Sequence, residues 1–105
     1  MIDAQANPAR GEATLPVAGR IRVLRPSFAA LVAAEEELGP LFGLVDRASE
    51  GQLRLTEIAA LFWHCCEDRA VLSREEVGEA VMAMGLAAAS APLRELLKQI
   101  LQGRT

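Results

Sequence analysis

The segment Ser73-Arg74-Glu75-Glu76 is the clearest start of a helix in this sequence. In such a capping box, the Ser73 hydroxyl oxygen accepts from the third helical N–H, and the Glu76 side chain reaches back to the N–H of Ser73. Gly85 is suited to end the helix, because glycine takes positive φ at little cost. The apolar positions between these ends recur at helical spacing, and they are Val77, Ala80, Val81 and Met84.

Similar signals divide the rest of the chain into short helices. Ser27 follows Pro26 as an N-cap, Gly39 precedes Pro40, and Gly103 ends the last helix. The predicted segments are 28–38, 40–48, a third from Leu55 or Thr56, 74–84, and a last helix opened by Ser90 and Pro92. The apolar residues predicted to form the buried stripes of the other helices are Phe28, Leu31, Val32, Leu38, Ile58, Leu61, Phe62, Cys65, Leu93, Leu96, Leu97, Ile100 and Leu101. The apolar content of the second helix is Leu41, Phe42, Leu44 and Val45.

A β-hairpin is predicted between Glu12 and Arg25, ahead of the helices. Ala18 and Gly19 form its turn, and polar and apolar residues alternate from Arg20 to Val23. Because a two-stranded hairpin is marginal alone, its apolar side is expected to lie on the helices.

The predicted fold class is therefore α+β, mainly α, with a short N-terminal β-hairpin packed on a bundle of about five short helices. A chain of 105 residues has room for one core. Residues 1–10 are expected to form a flexible leader, and residues 11–105 a single domain.

The segment DRASEGQLRLTE, from Asp46 to Glu57, has the frame of an EF-hand calcium loop. Its third position, Ala48, offers no side-chain oxygen, and its ninth, Arg54, places a positive charge beside the cation. We expect no calcium site there. Gly51 is expected to take positive φ after a helix that ends near residues 48–50.

Composition and charge argue against several classes of function. The net charge is −3 and aromatic residues are 4% of the chain, which argues against nucleic-acid binding. The N-terminus carries no signal peptide pattern, and the chain has no apolar run of about 18 residues. We expect a soluble cytoplasmic bacterial protein that does not enter a membrane.

Cys65 and Cys66 are adjacent, so on a helix they point about 100° apart and cannot bridge each other. We expect free thiols in a reducing compartment. The neighbouring His64 completes no metal-ligand spacing, and unpaired helical cysteines usually behave as small hydrophobes. The sequence has no catalytic motif, so we expect neither an enzyme nor a cofactor.

Glu35 lies on the predicted apolar stripe of its helix and allows two interpretations. The first is a charged residue at the edge of an apolar face. The second is a carboxylate that accepts hydrogen bonds from Arg20, Arg22 or a helix N-terminus. Arg20 and Arg22 share one face of a strand and could together contact phosphate; the alternative is that they pair with the acidic run 35–37.

The order of several segments resembles that of a known family. These segments are GRIRVLRPSFAAL, EEELG, PLFGLVDR, LTEIAALFW and LSREEVGEAVMAMGL, and together they cover about Gly11 to Leu101. They are similar to the small tail-assembly chaperones of gene transfer agents and tailed phages, which occur in phage-like gene clusters of alphaproteobacteria. The pair Cys65-Cys66, Trp63 and the Ala-rich connection AAASAP depart from the family pattern.

The resemblance implies a protein that acts during tail assembly and binds the tape-measure protein, a long helical client, reversibly. It also implies several copies per client or self-association. Trp63 and Met82 fall off the main helical stripes, so they are the candidate partner-binding residues; the alternative for Trp63 is burial under the hairpin or the C-terminal helix. Two other function classes are a structural tail or head-tail component and a DNA-binding regulatory module.

Overall fold

The computed structural model of this protein describes residues 12–103. Its elements are, in chain order, β1 (Ala13–Val17), β2 (Arg20–Leu24), α1 (Phe28–Leu38), α2 (Leu41–Ser49), α3 (Leu55–Cys65), α4 (Arg74–Met84) and α5 (Leu86–Gln102). An antiparallel hairpin followed by five helices is the mainly helical α+β fold that the sequence predicts. The leader predicted at residues 1–10 lies outside the described residues.

The hairpin and its turn are confirmed. Leu15 pairs with Arg22 and Val17 pairs with Arg20, with Ala18 and Gly19 between the strands. Their φ angles are 52° and 80°, and both must be positive in the type I′ turn that matches the twist of two-residue hairpins.

The apolar side of the hairpin lies on the helices, as predicted, but the polar and apolar alternation in β2 does not mark that side. Residues paired across an antiparallel ladder share a face, so Arg22 lies on the same face as buried Leu15. Arg22 is only 7% exposed, whereas Ile21 is 51% exposed. The Arg22 guanidinium is tolerated inside because it donates to Asp68 Oδ2 (2.7 Å) and to the Val17 carbonyl (3.2 Å).

The core lies between the hairpin and the helices, with α3 at its centre. The largest fully buried side chains are Phe62, Leu15, Leu24, Leu44, Leu61, Leu96, Val17, Val77, Val81, Cys65 and Cys66. The predicted core residues of α3 and α4 are confirmed, with Ile58, Ala80 and Met84 partly buried at the margin. Both cysteines are free, as predicted.

In α1 the predicted ends are confirmed, but the predicted stripe is only half right: Leu31 and Leu38 pack against the core, whereas Phe28 and Val32 are exposed. Ser27 Oγ accepts from the Ala30 N–H (3.1 Å), and Gly39 ends the helix at φ 93°. The buried residues are Ala30 and Ala34, whereas Phe28 is 86% exposed. Since α1 carries apolar residues on more than one side, helical period alone cannot select the face that packs, and the small alanines pack inward.

The predicted start of the last helix is also wrong. Gly85, at φ 88°, ends α4 by donating to the Val81 carbonyl, and α5 begins at the next residue. Alanine has the highest intrinsic helix propensity, so the segment AAASAP is helical rather than a connection. Ser90 does not cap; its hydroxyl donates to the Ala87 carbonyl (2.6 Å), and Pro92 lies inside the helix.

The resemblance to a calcium loop has a structural explanation. Helix α2 ends at Ser49, and Gly51 takes φ 71°, as predicted. Glu57, at the twelfth loop position, accepts from the Arg54 N–H (2.9 Å) and pairs with Arg47 (2.7 Å). Its carboxylate therefore caps α3 and joins α2 to it.

Across residues 12–103, no single helix has both the length and the apolar content needed to cross a bilayer. Helices α4 and α5 meet that test of length and composition only as a pair, and they are bent by 120° at their junction.

Replacement of Ala18 by Asn should stabilise the protein. Ala18 holds a positive φ that costs a non-glycine residue roughly 1 kcal/mol, and Asn tolerates it better. We expect Ala18→Asn to raise the free energy of unfolding by about 0.5 kcal/mol, measured by urea denaturation. Gly19→Ala, at φ 80°, is the matched change and should lower it by about 1 kcal/mol; a loss of stability in both variants would contradict this account of the turn.

Candidate functional site

A continuous apolar groove runs between α2 and α5. Three adjoining depressions form it, with volumes of about 170, 660 and 190 Å³. The first two share Ala48, Ser90 and Leu93, and the last two share Val45 and Leu101. The apolar lining, from the start of α5 to its end, is Leu53, Ile58, Leu86, Ala89, Leu93, Ala48, Leu97, Val45, Leu101, Ile100, Leu41 and Phe42. We call this surface the α2–α5 groove.

The groove follows from the spacing of residues on the two helices. Leu93, Leu97 and Leu101 recur every four residues, so they form one row along α5. The small side chains of Ala48 and Ser90 face each other across the gap and leave it unfilled. Helix α5 has 17 residues, which makes the groove about 25 Å long.

Large apolar side chains remain exposed along the groove. Phe42 is 76% exposed at one end, Leu101 is 55% exposed beside it, and Leu86 is 58% exposed at the other end. A contiguous apolar surface of this kind marks an interaction site more often than scattered exposed residues do.

Met82 is 62% exposed on α4 and is not among the residues that line the groove. Helices α3 and α4 run antiparallel, because Gly78 faces Ala59 and the Arg74 guanidinium lies 4.7 Å from the centre of the Trp63 ring.

The rim of the groove on α5 is charged. Arg94 and Lys98 are one turn apart, between Ser90 and Gln102 in the same row, and Glu95 also lines this part. Neither Arg94 nor Lys98 forms a salt bridge with any residue between 12 and 103.

Glu35 lines the Phe42 end of the groove and resolves one open alternative. Its Oε2 accepts a hydrogen bond from the Leu41 N–H (3.1 Å), the first residue of α2. Glu35 is exposed at the edge of its helix, as the first interpretation has it, and of the partners in the second interpretation it bonds the helix N-terminus rather than Arg20 or Arg22. The positive end of the α2 dipole favours the carboxylate there.

A second polar cluster joins three helices. Glu37 of α1 contacts His64 Nε2 (2.8 Å) and forms an ion pair with Arg74 of α4. Arg74 also covers the Trp63 ring, and the Trp63 indole N–H donates to the Leu72 carbonyl (2.8 Å). The hydrogen bond from Arg74, and then that from His64, lowers the pKa of Glu37.

The cluster gives Trp63 a structural role. The indole is half-buried, and its contacts lie with the α3–α4 connection and with the start of α4. Trp63 and Met82 lie about two turns apart along these helices, so the structure does not bring the two candidate partner residues together. Their role in partner binding stays a prediction.

The arginines of the hairpin do not form a phosphate-binding face. Arg22 is buried against Asp68, and Arg25 pairs with Glu12 (2.6 Å) and with Glu67. The predicted pairing of Arg20 and Arg22 with the acidic run 35–37 is wrong, because the segment after α3 brings other carboxylates to the hairpin. Arg20 is exposed at the turn and has no ion pair within residues 12–103.

The predicted capping box of α4 is confirmed. The Glu76 N–H donates to Ser73 Oγ (3.0 Å), and the Ser73 N–H donates to Glu76 Oε1 (2.9 Å). These two residues are structural, as the sequence predicts.

The two thiols are poorly suited to chemistry. Burial raises the pKa of Cys65 to about 12, with the neighbouring Cys66 adding to the effect, and burial also raises the pKa of Cys66. A protonated buried thiol is a weak nucleophile. In the part of the chain that the structure describes, no three His, Cys, Asp or Glu side chains are grouped to hold a metal ion.

The sequence matches the family described as phage tail tube protein, GTA-gp10, over residues 10–103. The match spans both strands and all five helices. This chain belongs to that family. Neither a curated protein nor a solved structure matches the chain.

The GTA-gp10 family protein is thus a tail component of a phage or gene transfer agent. The assignment to a phage-like tail family, made from the order of the sequence segments, is confirmed. The assignment to the assembly chaperones and the binding of the tape-measure protein stay predictions.

The groove of this tail protein is not among the features predicted from its sequence. The sequence does contain a pattern that indicates a partly exposed apolar surface on α5. The apolar row Leu93, Leu97 and Leu101 lies directly beside the polar row Ser90, Arg94, Lys98 and Gln102. The predicted start of α5 at Ser90 leaves out its first turn, which carries Leu86, and the leucines after Ser90 were all predicted to face the core. Only Leu96 of that set is fully buried.

The Glu37 cluster should make stability depend on pH in the acid range. Because the folded state lowers the pKa of Glu37, its contribution is present above a glutamate's ordinary pKa of about 4.3 and is lost as the pH falls through the lowered value. We expect Glu37→Gln to lower the free energy of unfolding by roughly 0.5–1 kcal/mol at pH 7. The difference from the unmodified protein should shrink progressively as the pH falls below a glutamate's ordinary pKa.

The matched variant is Glu36→Gln, the exposed neighbour on the same helix. Urea denaturation between about pH 3 and 7 would measure both. A difference for Glu37→Gln that stays constant with pH would show that charge on Glu37 does not stabilise the fold.

Proposed function

We propose that this tail protein is a tail-assembly chaperone that binds the helical tape-measure protein reversibly in the α2–α5 groove. The groove is the observation that carries the proposal. A long amphipathic client exposes apolar stripes until the tail tube forms around it, and a groove between two helices is a recurring way to cover such a stripe. The resemblance of the sequence to tail-assembly chaperones supports the same function.

The dimensions of the groove suit reversible binding. A groove about 25 Å long accommodates four to five turns of a client helix, roughly 17 residues. One such contact is small beside the large interfaces of permanent complexes, so a single copy should dissociate readily. Several copies along one client would raise the overall affinity without strengthening any single contact.

A structural tail component is the second candidate, and the words "tail tube protein" in the family description favour it. A structural subunit would stay in the finished particle at a fixed copy number. A chaperone would be replaced by the tube and would be absent from particles. Either protein would act first in the cytoplasm of the producing cell.

Binding, rather than catalysis, is the activity that we propose. The imidazole of His64 is bonded to Glu37, and both thiols are buried. DNA binding has little support, because Arg22 and Arg25 are engaged in ion pairs and the net charge is −3.

Affinity capture from producing cells tests the proposal. The tagged protein should capture the tape-measure protein, and Phe42→Ser with Leu101→Ser should weaken that capture at least about tenfold, because each removes roughly 1 kcal/mol or more of apolar burial. The matched control is Phe28→Ser with Val71→Ser, which changes two side chains that are as exposed but lie outside the groove. Equal losses in both variants would overturn the assignment of the groove.

Quantitative mass spectrometry of purified particles separates the two candidate functions. A chaperone should be absent from them, and a fixed copy number per particle would make this protein a structural component. Trp63→Ala and Met82→Ala belong in the same capture experiment. A folded Trp63→Ala protein with full client binding would remove Trp63 from the partner surface.

A further inference from the structure

We infer that the helix bound in the α2–α5 groove carries acidic side chains one turn apart beside its apolar stripe, and that they pair with Arg94 and Lys98. The identity of the client rests on the proposed function. The chemistry of the bound segment rests on the groove itself.

The positions of Arg94 and Lys98 determine where the acidic residues of the bound helix lie. Arg94 and Lys98 are four residues apart on α5, so they are separated by about 6 Å along its axis and lie on one edge. The adjacent row of α5 is Leu93, Leu97 and Leu101, which lines the groove. A helix that lays an apolar stripe on these leucines therefore presents its flanking row to both cations. Carboxylates at i and i+4 of that row match their spacing.

The cations are available because the fold does not use them. Four other arginines are held in ion pairs, and these pairs are Arg22–Asp68, Arg25–Glu12, Arg47–Glu57 and Arg74–Glu37. Arg94 and Lys98 have no such pair within residues 12–103. Glu95 also lines the groove, so this rim holds two cations and one anion on a chain whose net charge is −3. The rim is thus locally positive on an acidic protein.

The Phe42 end of the groove determines how the bound helix is aligned along it. Glu35 lines that end beside Phe42 and Leu101, and it would repel an acidic residue of the client. The client acids must therefore lie opposite Arg94 and Lys98, whereas the client position near Glu35 must be uncharged or basic. Repulsion at the wrong end excludes helices that have a similar apolar stripe but a displaced charge pattern.

Binding of two designed peptides tests this inference. Both would be helices of about 20 residues with the same Leu/Ala stripe; one carries Glu, and the other Lys, at i and i+4 beside the stripe. Fluorescence anisotropy in about 0.01 M salt would measure their affinities for the full protein. We expect the Glu peptide to bind about tenfold more tightly, and the preference to shrink below about twofold in 1 M salt, where the Debye length is about 3 Å.

Charge reversal supplies the matched variants. Arg94→Glu with Lys98→Glu should reverse the preference in favour of the Lys peptide. Arg20→Glu with Arg69→Glu makes the same change in net charge at exposed positions outside the groove, and it should keep the preference of the unmodified protein. Circular dichroism would establish that each variant is folded.

Equal affinity for the two peptides, or a preference that survives charge reversal in the groove, would overturn the inference. Analytical ultracentrifugation tests whether a second copy of this chain occupies the groove instead. If the protein binds neither peptide but self-associates, and Arg94→Glu with Lys98→Glu abolishes that self-association, the groove is assigned to a second copy. Capture from producing cells stays a separate result. If the protein captures the tape-measure protein but binds both peptides equally, the proposed function stands and this inference fails. If it prefers the Glu peptide but does not capture the tape-measure protein, the charge selectivity stands and the proposed function fails.

Discussion

The close packing of small residues around α3 is the constraint on which the rest of this structure depends. Ala59 of α3 faces Gly78 of α4, where an added Cβ would make an ordinary van der Waals contact at 3.7 Å. The buried face of α1 is likewise made of two alanines, Ala30 and Ala34. Because these helices approach α3 through small side chains, Leu61 and Phe62 can fill the core between them and the hairpin.

This packing leaves two consequences at the surface. Two large apolar side chains of α1, Phe28 and Val32, remain exposed to water. Helix α2 packs mainly against α1 and α5, and one side of α5 is covered only in part. The α2–α5 groove is the space left between a peripheral helix and a long one, and it leaves an apolar surface exposed.

Ion pairs determine which charges stay free. The segment after α3 runs beside the end of β2, where the Arg25 N–H donates to the Cys65 carbonyl (2.7 Å) and the Glu67 N–H donates to the Val23 carbonyl (3.1 Å). That contact brings Asp68 to Arg22 and Glu67 to Arg25, and it removes these arginines from any binding face. No comparable carboxylate within residues 12–103 pairs with the cations of α5, so the groove keeps a positive rim.

The sequence by itself determined the ends of most elements, because these signals are local: the capping box of Ser73 and Glu76, the cap of Ser27, and the positive φ of Gly39, Gly51, Gly85 and Gly103. The start of α5 was missed because helix propensity of the alanine run outweighs the boundary that Pro92 suggests. Only the tertiary structure decided which face of α1 is buried and which carboxylate meets Arg22, since Asp68 lies 46 residues away. It alone formed the groove, because Val45 and Leu97 are distant in sequence and their meeting depends on how α2 and α5 pack on the same core.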